Sequence, residues 1–165
     1  GILLESGEKI SADIIVTATG IELNSLNDIS VTLDDIEINA HERLTYKGMM
    51  LSGVPNFALS FGYVNASWTL RADLTCEYVC RLINLMDKKG VDCCAPIDDK
   101  SAYGDDDLID FTSGYVQRGL HLMPKQGNKA PWKNYQNYIK DIFAVRLFSI
   151  KDSNLNFYNS KKINN

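Results

Sequence analysis

The chain has 165 residues, 45% hydrophobic and 23% charged, which suits one ordinary globular domain or a piece of a larger one and excludes a disordered chain. Seventeen Lys and Arg against 21 Asp and Glu leave a net charge of −4, so no basic surplus exists to neutralise a phosphate backbone, and no nucleic-acid partner is expected. No apolar run approaches the roughly 20 residues that span a bilayer, so no transmembrane segment is expected.

Gly1-Ile2-Leu3-Leu4 opens the chain without an initiator Met or a basic-then-apolar leader, as if inside a strand. A fragment of a longer protein is therefore expected. Cys76, Cys80, Cys93 and Cys94 form no Cys-x-x-Cys pair, and His41 and His121 are remote from one another. That pattern predicts reduced thiols in a cytoplasmic protein and no metal site.

Taken in order, Ile2–Glu5 and Lys9–Ala12 flank the turn Ser6-Gly7-Glu8. Asp13–Gly20 then reads as a strand buried on both faces, as in a parallel sheet, because Ile14, Ile15, Val16 and Thr17 are β-branched. Residues 29–33 and 36–38 alternate with period two around Asp34-Asp35, which predicts a small hairpin, and Arg43–Lys47 could add a further short strand. Phe57–Phe61 reads as a strand stopped by Gly62. Asn65-Ala66-Ser67 offers N-cap side chains for a helix over about 67–89. Leu70, Leu74, Tyr78, Leu82 and Leu85 form its apolar stripe, and Lys88-Lys89-Gly90 is a fitting end. Asp98-Asp99 and Asp105–Asp107 read as solvated loop, and 115–122 is ambiguous. A last helix is expected from Trp132 to about Val145, with Tyr135, Tyr138, Ile139 and Ile142 as its packing face, and fraying from Lys151 onward.

Isolated motifs reveal no chemistry. Gly114-Tyr115-Val116-Gln117-Arg118-Gly119 has the glycine spacing of a phosphate loop but continues with Leu120 rather than Lys-Ser/Thr. The aspartates at 105–107 lack the alternation and closing Glu of a calcium loop. His121 is better explained by packing or solvent bonding than by catalysis, and Trp68 and Trp132 by core or interface packing than by ligand stacking.

Longer strings carry more. Ala12–Gly20, Tyr46–Asn56, Gly62–Leu74, Ser113–Arg118 and Pro124–Gly127 with Ala130–Trp132 together resemble the C-terminal third of class B flavoprotein monooxygenases. The likeness is to the Baeyer–Villiger branch that includes the ethionamide-activating FAD-containing monooxygenases, and it covers about residues 1–147. The resemblance implies an α/β fold, the C-terminal part of a flavoprotein with two Rossmann-like dinucleotide-binding domains, its sheet incomplete in this chain. On that reading 1–23 ends the nucleotide-binding region and 24–54 is a β excursion. Residues 55–90 close the FAD domain, 91–150 form a C-terminal loop and helix region, and 151–165 are a frayed tail.

The resemblance further implies FAD and NADPH as cofactors. NADPH reduces the flavin, O2 adds at C4a, and the peroxyflavin oxygenates a ketone or a sulfur compound. Thr17, Ala18, Thr19 and Gly20 would approach FAD, and Asn65, Ala66, Ser67, Trp68 and Thr69 would meet the flavin ring from the helix start. No Gly-x-Gly-x-x-Gly occurs in the chain, so both pyrophosphate sites and the catalytic groups are expected upstream of Gly1, with the remainder of the parent enzyme as partner. The chain alone is expected to be inactive. An N- or S-oxidising flavin monooxygenase and a non-catalytic binding module stand as alternatives.

Overall fold

The structure, a computed structural model, describes residues 1–21, 23, 26, 29–108 and 112–160, the side chains of 105–107 excepted. Turn chemistry builds its first three sheets. Gly7, at φ 85°, turns β1 (Ile2–Leu3) back on β2 (Lys9–Ile10). Asp34 and Asp35, both left-handed at φ 51° and 64°, make the tight turn between β3 (Thr32–Leu33) and β4 (Ile36–Glu37), as the alternation predicts. Lys47 and Gly48 do the same between β5 (Thr45–Tyr46) and β6 (Met50–Leu51).

Helix α1 spans Trp68–Lys89 and ends on Gly90 in the left-handed conformation. There follow β7 (Cys93–Pro96), β8 (Tyr103–Asp107), α2 (Gly114–Gly119), β9 (Lys125–Gly127), α3 (Tyr138–Ile142) running into a π turn at Phe143–Leu147, and β10 (Leu155–Tyr158). Among the described residues the sheets are all two-stranded and antiparallel, with β8 on β9 and β7 on β10.

The fold is thus mixed α and β. Its main core forms where the α1 stripe of Leu74, Tyr78 and Leu82 packs on Leu44, Tyr46, Met49, Trp132, Val145 and Leu155. Each such side chain contributes roughly 1.5–3 kcal/mol by leaving water. Trp132, 1% exposed, meets Tyr46 edge-on at 5.6 Å, the core role expected of it.

Several expectations give way. Asp13–Gly20 forms no strand, and Ile14 and Val16 are 82% and 85% exposed. A strand buried on both faces needs neighbours on both edges, and none of the described residues supplies them. Phe57–Phe61 does alternate half-buried and exposed, yet it joins no ladder, and Leu59 N–H reaches the Met49 carbonyl at 2.6 Å.

The last helix starts later than Trp132, because the Asn137 side chain caps it by accepting from Lys140 N–H at 3.0 Å. Tyr135 and Ile139, expected to pack, are exposed. The fraying expected past Lys151 is replaced by β10, whose Leu155 joins the core; residues 161–165 lie outside the described residues. Asp98 is not solvated loop either: it accepts from Ser52 Oγ at 2.8 Å and Tyr103 Oη at 3.0 Å. Asp105–Asp107 lie in β8, and Gly114–Gly119 is helix rather than phosphate loop.

Candidate functional site

The start of α1 is built to stay open. Ser67 takes the N-cap position at φ −61°, ψ 134°, but its side chain makes no capping bond; its Oγ lies 2.7 Å from Thr69 Oγ1 instead. The first turn carries no acidic residue, while Lys88 and Lys89 occupy the last. The positive end of a 22-residue helix dipole therefore emerges without a side-chain cap at Trp68.

Asn65, Ala66, Ser67, Trp68 and Thr69 are all exposed, Trp68 at 61%. Its indole lies against Phe61 at 5.7 Å between centroids, tilted by 36°. Gly62 makes that arrangement possible, since a Cβ there would stand 2.2 Å from the indole ring.

The second group of expected site residues, Thr17, Ala18, Thr19 and Gly20, is exposed and outside any strand. Gly20, at φ 96°, sits beside the Arg118 guanidinium of α2. The two groups are thus carried by different elements. Near each group in sequence, Leu23 and Phe61 pack against the same small apolar cluster of Leu108, Val116 and Met123.

A polar cluster that the motifs missed lies behind the helix start. Arg71, 3% exposed, contacts Asp141 through Nη1 at 2.5 Å and donates through Nη2 to the Lys47 carbonyl. Tyr63 Oη donates to Asp141 Oδ2 at 2.7 Å, and the Arg71 guanidinium covers the Tyr63 ring at 5.7 Å. Burial and the bond to Asp141 push the Tyr63 hydroxyl up to about 12. Gly48 is required twice here: its φ is 64°, and a Cβ would stand 2.7 Å from Arg71 Nη2. The sequence does hold a signal, because Arg71 falls on the buried stripe with Leu74, Thr75, Tyr78 and Leu82.

Deeper still, Tyr46 Oη donates to Asp152 Oδ2 at 2.8 Å and lies 3.2 Å from Tyr78 Oη. Burial raises both hydroxyls, Tyr78 to about 12. No group of three or more metal-binding side chains, and no helix long and apolar enough to cross a membrane, occurs among the described residues. The cysteines are free, Cys76 and Cys80 exposed and Cys94 buried.

Comparison with known proteins places this geometry in context. The chain is 45% identical over 157 residues to the FAD-containing monooxygenase EthA of Mycolicibacterium smegmatis, and 46% identical to EthA of Mycobacterium tuberculosis. It is 43% identical over 158 residues to the protein named "Probable FAD-binding monooxygenase AlmA" of Acinetobacter baylyi. Each match covers 95% of this chain and 32% of the relative, so the chain spans about a third of the length of the curated relatives it matches. No protein-family model and no solved structure matches it.

Proposed function

We propose that this chain, a homologue of one third of the FAD-containing monooxygenases, supplies one wall of the flavin site of an FAD- and NADPH-dependent monooxygenase. The observation that carries the reading is the open start of α1, where Ser67 leaves the backbone amides of the first turn without a side-chain acceptor. Such amides suit the carbonyl-rich edge of an isoalloxazine. The helix dipole behind them stabilises negative charge that develops there on reduction.

Trp68 and Phe61 offer an aromatic shelf beside these donors. Asn65, Ala66, Ser67 and Thr69 would line the same edge, and Thr17, Ala18, Thr19 and Gly20 would bring small side chains and bare backbone toward the remainder of FAD. When bound, a flavin reduced by NADPH would supply the oxygen chemistry, with one atom of O2 going to a ketone, as in Baeyer–Villiger insertion, or to a sulfur compound, and the other leaving as water. The chain's own residues hold and orient the ring and shield it from water. The pyrophosphate sites, for which this sequence has no glycine-rich fingerprint, come from polypeptide outside these 165 residues.

The test begins with the coding DNA ahead of Gly1, where an open frame with two Gly-x-Gly-x-x-Gly fingerprints is expected. In the encoded enzyme, Trp68→Ala should weaken FAD binding at least tenfold with little change in thermal stability. Unchanged FAD affinity would remove the helix start from the site. Ester formed from a ketone substrate supports the Baeyer–Villiger assignment, whereas N- or S-oxide as the sole product assigns the enzyme to the other branch.

A further inference from the structure

We infer that a second site, a pocket of about 410 Å³ between the Lys47–Gly48 turn and the α3 region, binds a small aromatic carboxylate. The inference stands on this pocket alone and does not rest on the flavin reading. Its volume lies in the range of small-molecule sites. Its body is apolar, lined by Ala130, Pro131, Ala144 and Val145. Three aromatic rings are left substantially in water there, Tyr135 at 43%, Phe143 at 50% and Phe148 at 64% exposed. Flat rings at the rim of an apolar pocket favour a flat apolar ligand.

Charge selects the head group. Lys47, Arg71 and Lys140 line the pocket, and the carboxylate among its lining residues, Asp141, is already held by Arg71 and Tyr63. That local positive surplus stands against a whole-chain charge of −4. Lys140 Nζ lies 4.6 Å from the Tyr135 ring centroid, and Lys47 Nζ lies 5.6 Å from that of Tyr46.

Burial lowers the pKa of Lys47, although Asp152 and Asp141 pull the other way, so its charge gains from an anion brought alongside. A neutral apolar guest would bury the Lys47 and Lys140 ammonium groups further while adding no counter-charge. A polyanion would force several charges against the apolar wall. One carboxylate on an aromatic body satisfies both halves.

Naphthalene-2-carboxylate and its neutral isostere naphthalene-2-carboxamide provide the test, titrated separately into the 165-residue chain by calorimetry and amide NMR. The carboxylate should bind with Kd on the order of 0.1–1 mM for a ligand of this size, shifting resonances within 130–148, and the carboxamide at least tenfold more weakly. Lys47→Met and Lys140→Met should each weaken the carboxylate about tenfold and leave the carboxamide unchanged. Lys140 is exposed on α3, so its variant keeps the test valid if Lys47→Met disturbs the turn. Equal affinity for the two compounds, shifts confined to other regions, or carboxylate binding unaffected by Lys140→Met would overturn the assignment.

Discussion

Arg71 and Asp141 show how one residue's context sets its worth. Both are buried and in contact at 2.5 Å, so each compensates a charge that would otherwise sit unpaired in low dielectric. Arg71→Met should therefore cost about 3–5 kcal/mol in urea denaturation, far more than an exposed pair such as Arg146–Asp73 would. The tyrosines give a pH signature. Tyr63 and Tyr78 are raised to about 12, so folding holds their protons after unfolded tyrosines, with pKa near 10, have released theirs. That contribution is fully present below pH 10 and is lost as pH rises toward 12. The urea midpoint should fall between pH 10 and 12, and Tyr63→Phe should shrink the fall. The sequence signals Arg71 by its place on the buried stripe of α1, but not its partners, because Tyr63 and Asp141 reach it only through tertiary folding.

At the scale of elements, what was legible is what is local. Helix α1 follows from its stripe and its Lys-Lys-Gly ending, and the Asp34–Asp35 hairpin from its alternation, since each is decided within a few residues. Asp13–Gly20, Phe57–Phe61 and β10 depart from their local pattern because pairing, not composition, decides a strand. The partner of β10 lies some 60 residues earlier, at β7, and its asparagine-rich surroundings suggested fraying. The expected helix-start residues were found at the end of α1 that the stripe predicted, but the cap was not: Ser67 bonds Thr69 instead. Accordingly Ser67→Ala should change stability by less than about 0.5 kcal/mol, where a working cap would cost about 1. Gly90→Ala, forcing a side chain into a left-handed site at φ 66°, should cost about 1 kcal/mol. Thermal melts of the two variants would separate them.

For the whole molecule, the N-terminal segment sets solution behaviour. Ile14, Ile15, Val16 and Ile21 stand exposed, a run of β-branched side chains with an open backbone edge. The chain should self-associate with rising concentration in sedimentation experiments, and Val16→Lys should reduce it. The opposite end of the chain behaves differently. In the β7–β10 pair, Phe157 is the register partner of Cys94, whose thiol is fully covered and raised to about 11 by burial. Cys76 and Cys80 are open on α1. The four thiols therefore grade the opening of the molecule: a labelling reagent should modify Cys76 and Cys80 at once and the half-buried Cys93 more slowly, while Cys94 should react only as often as the core around it opens.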